Sequence, residues 1–235
     1  MKAHPPTGRE LKRIVAHLLI AETFPSSLAA ISQLPARQVV NPLFAFFCDA
    51  DALRRWRAVT AMGRVVSSLA EKDMESARVV MRRFMWNLNE ESGGIGWGCP
   101  EAMGETMACS GPLAREYRCI LISYLNPEGN FIDHPALQEG VLWGIGRLAH
   151  ANPPAALEAG PFLMGFLPAE IPALRGLAAW AAGPLGCAGF IPALEKLVDD
   201  EACFEMYDQE QLIRRSVAVV ARQALALTKT RLHPR

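Results

Sequence analysis

The stretch from Asn87 to Glu105 holds the residues whose types and spacing could do chemistry: a polar segment, then a glycine-rich loop that runs into a helix. Its candidate binding residues are Asn89, Glu90, Glu91, Trp97, Glu101 and Glu105. Glycines before a helix can present backbone N–H groups to an anion. This loop, however, lacks the lysine of a phosphate-binding loop, and its carboxylates would repel phosphate. The pattern favours a cationic or hydrogen-bonding partner; the alternative is that the glycines only allow a tight connection between paired helices, with Trp97 packed as a lid.

Glu101 and Glu105 lie four residues apart and therefore share one face of a helix. Like charges at that spacing cost roughly a few tenths of a kcal/mol unless a positive group answers them. Arg57 and Arg64, seven residues apart on an earlier helix, predict an ion pair between helices. The alternative is an exposed carboxylate pair that serves as a metal or general acid–base site, and no histidine close in sequence supports it.

Other catalytic and metal patterns are missing from the sequence. No serine stands in a GxSxG motif and the five histidines are scattered, so no nucleophile, base and orienting group can be assembled. The six cysteines form no CxxC pair and have no close histidine, which predicts reduced, mostly buried thiols rather than a zinc or iron–sulfur site. We expect no catalytic residue, no metal and no cofactor.

The balance of charge argues against recognition of nucleic acid or of an anionic membrane. Of the 235 residues, 24 are Lys or Arg and 24 are Asp or Glu. Such a chain sets up no uniform positive field for a phosphate backbone, so nucleic-acid binding is disfavoured. Residues Met1–Glu10 do not resemble a secretory signal, and the apolar run after them is short and interrupted by Arg13 and His17. We therefore expect a cytoplasmic protein without a membrane span.

Internal repetition determines the predicted architecture. Five alanine-rich segments align at successive spacings of 41, 42, 37 and 39 residues, on Gly63, Gly104, Gly146, Gly183 and Arg222. A period near 40 is typical of two-helix solenoid repeats. Because a glycine inside a helix costs about 1 kcal/mol relative to alanine, this register predicts close approach of a neighbouring helix. Partner helices are predicted at Glu75–Trp86, Leu113–Tyr124 and Phe190–Val198.

Helix boundaries and aromatic positions fit the same scheme. Thr7 and Glu10 form a capping box, five prolines stand near predicted helix starts, and alternating runs with turn dipeptides, which would mark hairpins, are scarce. The positions after the repeat glycines hold Arg64, Glu105, Arg147, Pro184 and Gln223, a ridge of mixed charge that suits a protein or peptide. Four tryptophans share two registers and are interpreted as core, with interface anchors as the alternative; they are Trp56, Trp97, Trp143 and Trp180.

Three segments resemble HEAT or armadillo-type repeats, particularly the short bacterial HEAT-like repeats first noted in phycobilisome lyases. Ile191–Asp199 is similar to an outer helix, and Arg55–Arg64 and Ile213–Ala218 are similar to inner helices. The likeness covers about residues 35–228. The whole chain also resembles small uncharacterised HEAT-repeat proteins of anaerobic bacteria, a likeness that implies a fold and no activity.

The sequence therefore predicts an all-α fold, an α-α superhelix (HEAT-like solenoid) of about five helical pairs that forms one domain over residues 1–235. Its predicted function is a scaffold that binds a protein or peptide. An enzyme or enzyme accessory with a carboxylate-rich site is the alternative, and a nucleic-acid-binding HEAT-like protein is the third hypothesis. The candidate binding residues are Asn89, Glu90, Glu91, Trp97, Glu101, Glu105, Arg57, Arg64 and Arg147.

Overall fold

A computed structural model of the chain describes residues 6–89 and 95–232. The helices of its first half are α1 (Gly8–Leu19), α2 (Phe24–Ser32), α3 (Ala36–Phe46), α4 (Ala52–Lys72), α5 (Met74–Leu88), α6 (Cys99–Cys109) and α7 (Gly111–Ser123). Those of the second half are α8 (Pro135–Ala151), α9 (Pro153–Ala156), α10 (Gly160–Phe166), α11 (Pro172–Ala182), α12 (Ile191–Glu195) and α13 (Val217–Leu232). Two strands, β1 (Cys203–Asp208) and β2 (Gln211–Ser216), lie between α12 and α13.

Local sequence signals set the helix boundaries. The predicted capping box is present: the Thr7 backbone N–H donates to the Glu10 carboxylate at 2.7 Å, and the Glu10 N–H donates to Thr7 Oγ1 at 3.4 Å. Asp51 is the N-cap residue of α4, because its carboxylate accepts a hydrogen bond from the Arg54 backbone N–H at 2.9 Å. The predicted helix-start prolines stand at or next to the first residues of α2, α3, α7, α8 and α12.

Five helices, α4, α6, α8, α11 and α13, pack side by side in chain order and form the inner layer. A β-carbon built on each register glycine would lie between 2.2 and 2.8 Å from an atom of the next inner helix. The contacts are Gly63 with Glu105, Gly104 with Gly144, Gly146 with Trp180, and Gly183 with Ala224. The close approach predicted from the glycine register is therefore confirmed, and it keeps the inner helices in contact along the whole stack.

The outer layer follows the prediction in the middle of the chain and departs from it near the end. Helices α5 and α7 pack against α4 and α6 and correspond to the predicted partner helices. The predicted helix Phe190–Val198 is shorter: a 3₁₀ turn at Ala188–Phe190 leads into α12, which ends at Glu195.

Residues 203–216 form an antiparallel hairpin that the sequence analysis did not predict. Cys203 pairs with Ser216 and Asp208 with Gln211. The segment Ile213–Ala218 was interpreted as part of an inner helix; this was wrong up to Ser216, because α13 begins at Val217. The turn residues Gln209 and Glu210 have φ values of 48° and 64°, as a two-residue type I′ turn requires. Because neither is Gly or Asn, the usual turn signal is missing from the sequence.

The part of the chain that the structure describes contains no helix with the length and apolar character needed to cross a bilayer.

Candidate binding site

The hairpin lies across the inner helices and divides their shared surface. The Tyr207 ring stacks on Trp56 with centroids 5.1 Å apart and planes 7° apart. The Thr60 hydroxyl lies 3.2 Å from the Tyr207 hydroxyl, and the Trp143 indole N–H donates to the Tyr207 carbonyl oxygen at 2.8 Å. Phe204 fills the space left by Gly176, where a β-carbon would lie 2.2 Å from its ring. One pocket is lined by the start of β1, residues 203–206, and another by its end and the turn, residues 207–210.

The first pocket, which we call the acidic pocket, has a volume of about 680 Å³ and lies near the starts of the inner helices. Carboxylates from three elements line it: Glu101 from α6, Glu139 from α8 and Glu205 from β1. Aromatic surface comes from Trp56, Trp97 and Trp143. Asp49 and Arg55 complete its charged lining, and Arg55 is the one basic side chain among the described residues there.

Glu101 is the most unusual group in the acidic pocket. Its carboxyl group lies over the α8 backbone at Gly140, where a β-carbon would be 2.7 Å away. The Oε2 atom is sealed from solvent and has no hydrogen-bond partner among the described residues, although the residue as a whole is partly exposed. Burial raises the pKa of Glu101 to about 7; the backbone N–H of Glu101 itself and the charge of Arg55 oppose the shift, and Glu139 adds to it. Burial also raises the pKa of Glu139.

The second pocket, which we call the mixed pocket, has a volume of about 490 Å³ and lies further along the same helices. Its charged residues include Arg64, Glu105 and Arg147. Glu105 is only 5% exposed, and Arg147 Nε lies 2.6 Å from its Oε2 atom. The expected ion pair between neighbouring helices is present, but it uses Arg147 rather than Arg57 or Arg64.

His150 and Trp180 also line the mixed pocket. Their rings stack with centroids 4.8 Å apart, and burial lowers the pKa of His150.

Arg57 has a structural role away from both pockets. Its guanidinium donates to the carbonyl oxygens of Leu19 and Ala21, each at 2.9 Å. It also lies 4.9 Å from the centre of the Phe24 ring. These contacts attach the connection between α1 and α2 to α4.

The loop residues of the candidate set are distributed differently. Trp97 stands at the acidic pocket, 36% exposed, with its ring edge-on to His134 at 5.5 Å. Asn89 is the C-cap residue of α5, and its backbone N–H donates to the Met85 and Trp86 carbonyl oxygens. It lines neither pocket. Glu90 and Glu91 lie outside the described residues.

The core interpretation holds for three of the four tryptophans and is wrong for Trp97, which is 36% exposed. Trp143 is buried, with 3% of its surface exposed. Its ring centroid lies 4.7 Å from that of Trp56 and 6.2 Å from that of Trp180. Because these rings also line the two pockets, they are core residues and pocket walls at once. Sequence reasoning missed Glu139, which precedes Gly140, and it missed Glu205, whose position depends on the hairpin.

The possible metal-ligating side chains and the cysteines are spread over the described part of the chain. Within residues 6–89 and 95–232, no three His, Cys, Asp or Glu side chains are close enough to hold a metal ion. All six cysteines are free thiols, and Cys48, Cys119 and Cys203 are exposed. The expectation that the cysteines are mostly buried is thus wrong for these three.

The comparisons with known proteins report on the fold. No protein-family model and no curated protein sequence matches the chain. An engineered protein superposes with a TM-score of 0.54 at 15% identity, covering 94% of this chain and 99% of its own. A designed armadillo repeat protein in complex with the peptide (KR)4 superposes with a TM-score of 0.52 at 18% identity, covering 93% and 99%. The chain therefore has an α-α superhelical repeat fold of the HEAT/armadillo type.

Proposed function

We propose that this protein is a binding module for a protein or peptide and that the acidic pocket is its principal recognition site. The observation that carries the proposal is the acidic pocket itself, a partly open recess of about 680 Å³ on the inner face, lined by aromatic rings and unpaired carboxylates. Aromatic side chains beside a few well-placed polar groups are typical of binding sites.

The charge of this surface supports a protein or peptide rather than a nucleic acid. The described lining of the acidic pocket contains one basic side chain, Arg55, and it includes the carboxylates of Glu101, Glu139 and Glu205. A phosphate backbone would be repelled there. Among solved structures of similar fold, one designed armadillo protein is in complex with the peptide (KR)4, which agrees with a peptide as partner.

An enzyme or enzyme accessory is the second candidate, and one observation favours it. A carboxyl group whose pKa is raised to about 7 is suited to general acid–base chemistry near neutral pH. This hypothesis differs from the first because it requires a captured small molecule to be chemically changed.

The free thiols favour a reducing compartment such as the cytoplasm, because exposed cysteines are prone to oxidation elsewhere.

Affinity capture from a lysate of the native host tests the proposal. The wild-type protein is compared with the double variant Trp97→Ala/Glu101→Ala and with Lys229→Ala, an exposed position on α13 that lines neither pocket, after circular dichroism has shown that all three fold. Retained proteins and small molecules are identified by mass spectrometry. We expect a partner that is retained by the wild type and by Lys229→Ala and is lost with the double variant. A partner retained equally by all three would place recognition outside the acidic pocket.

A further inference from the structure

We propose that the acidic pocket is a site for one organic ammonium group, attracted by the charges of Glu101, Glu139 and Glu205 and flanked by tryptophan rings. The ammonium could come from a lysine side chain of the partner or from a free alkylamine; only the first source rests on the proposed function. The proposal follows from unpaired charge, from a buried acceptor and from the aromatic walls.

The carboxylates of the pocket have no matching bases. Asp49 is neutralised by Arg54, whose Nη1 lies 3.0 Å from its Oδ2 atom, and Arg55 donates to the Asp49 backbone oxygen at 2.9 Å. None of the other three acidic side chains forms an ion pair with a described residue. The pocket is therefore locally negative within a chain of zero net charge, and a cation entering it gains Coulomb energy at reduced dielectric.

The Glu101 carboxyl group supplies an acceptor that the fold leaves unsatisfied. Oε2 is buried without a hydrogen-bond partner among the described residues, and a buried polar atom in that state destabilises the folded protein. Gly140 provides the space in which the carboxyl group lies. A cation in the pocket compensates the charge of this desolvated carboxylate through space, whereas a neutral apolar ligand does not.

The walls favour an organic cation over a metal ion. Trp56, Trp97 and Trp143 offer indole surface, which attracts an ammonium group through its ring quadrupole. Ile171, 38% exposed, offers apolar surface for an alkyl stem. No described group of carboxylates is close enough together to hold a metal ion.

Binding titrations of the purified full chain test the site. The probes are n-butylammonium, tetramethylammonium and the neutral isostere n-butanol, followed by tryptophan fluorescence and by calorimetry. We expect both ammonium probes to bind more tightly than n-butanol. Equal affinity for n-butanol and n-butylammonium would show an apolar recess only and overturn the proposal.

Matched variants connect the binding to Glu101. Glu101→Gln keeps the shape and removes the charge, and Gly140→Ala keeps the charge and displaces the carboxyl group. We expect each to weaken n-butylammonium binding about tenfold or more, because the first removes a negative charge beside the pocket and the second displaces it. Glu128→Gln, at an exposed loop carboxylate, should bind as the wild type does. Unchanged binding by both pocket variants would refute the role of Glu101.

Thiol protection gives an independent readout of location. Cys48 and Cys203 line the acidic pocket and are exposed, while Cys119 is exposed elsewhere. Bound n-butylammonium should slow iodoacetamide labelling of the first two and leave the third unchanged. If saturating n-butylammonium leaves the labelling rates of Cys48 and Cys203 unchanged, the cation binds outside this pocket.

The two sources of the ammonium are separated by a peptide arm. The pentapeptide Ac-Gly-Gly-Lys-Gly-Gly-amide is compared with its norleucine analogue and with n-butylammonium. Tighter binding of the lysine peptide than of both others supports a partner side chain, and a preference for n-butylammonium supports a free amine. If no ammonium probe binds while the host lysate still yields a partner that depends on Trp97 and Glu101, the cation assignment fails and the proposed function stands.

Discussion

Replacing Glu101 by glutamine should stabilise the folded protein above neutral pH and change little in acid. The wild-type carboxyl group is buried without a partner for Oε2, so its ionisation in the folded state is opposed by desolvation. Glutamine has nearly the same shape and carries no charge. The variant therefore removes the cost of burying the anion while it leaves the packing over Gly140 in place.

The magnitude follows from the two pKa values of Glu101. Its pKa rises from the ordinary 4.5 to about 7 on folding, and one pKa unit corresponds to about 1.4 kcal/mol. Because the folded protein holds the proton over this window, wild-type stability falls as the pH rises from about 4.5 to about 7. The loss is complete above pH 7 and amounts to about 3 kcal/mol. Two charged neighbours contribute to the titration of Glu101: Arg55 lowers its pKa and Glu139 raises it. Glu205 lines the same pocket.

Urea denaturation at a series of pH values between 4.5 and 8 measures the effect. The difference in unfolding free energy between Glu101→Gln and the wild type should grow by about 2–3 kcal/mol across this range, and Glu128→Gln should follow the wild type at every pH. A difference that does not depend on pH would refute the reasoning. Saturating n-butylammonium should shrink the difference at pH 8, since the bound cation compensates the charge.

The remaining predictions concern packing, the buried ion pair and the thiols. Gly104→Ala should cost about 2–3 kcal/mol in unfolding free energy, because its β-carbon would lie 2.2 Å from the Gly144 backbone. Gly165→Ala, with open space around it, serves as the control; equal melting temperatures for the two variants would contradict the account of the glycine register. Arg147→Ala leaves the Glu105 charge buried and should cost about 2–3 kcal/mol in urea denaturation, and a loss below about 0.5 kcal/mol, as for an exposed pair, would be inconsistent with that burial. Ellman's reagent should label the three exposed thiols of the native protein and leave Cys99 unreacted, since burial raises its pKa to about 12; rapid labelling of Cys99 would disagree with this structure.

The repeat architecture could be predicted from the sequence because one physical requirement recurs along the chain. Each inner helix needs a small residue where the next inner helix crosses, and that requirement places glycine at nearly constant spacing. The start of α1 could be predicted as well, because the Thr7 cap acts through bonds to the nearest turn.

The hairpin could not be predicted because its signals are long-range. Residues Cys203–Asp208 are held by contacts with Trp56, Thr60 and Trp143, far earlier in the chain. The turn residues Gln209 and Glu210 carry no glycine or asparagine to announce positive φ. Without the hairpin, the sequence implies one continuous inner surface, and Glu205 has no place in a site.

The different states of Glu101 and Glu105 follow from the same glycine register. One repeat earlier and one repeat later, Glu105 aligns with Arg64 and Arg147, and it forms its ion pair with the second of these. Glu101 aligns with Thr60 and Trp143, neither of which carries a positive charge. Two carboxylates four residues apart on one helix face are thus given opposite surroundings by their neighbours across the stack. Arg55 of α4 is the one base in the described lining of the acidic pocket, against the carboxylates of Glu101, Glu139 and Glu205. This excess of negative charge is the physical reason that a cation from outside can be bound there.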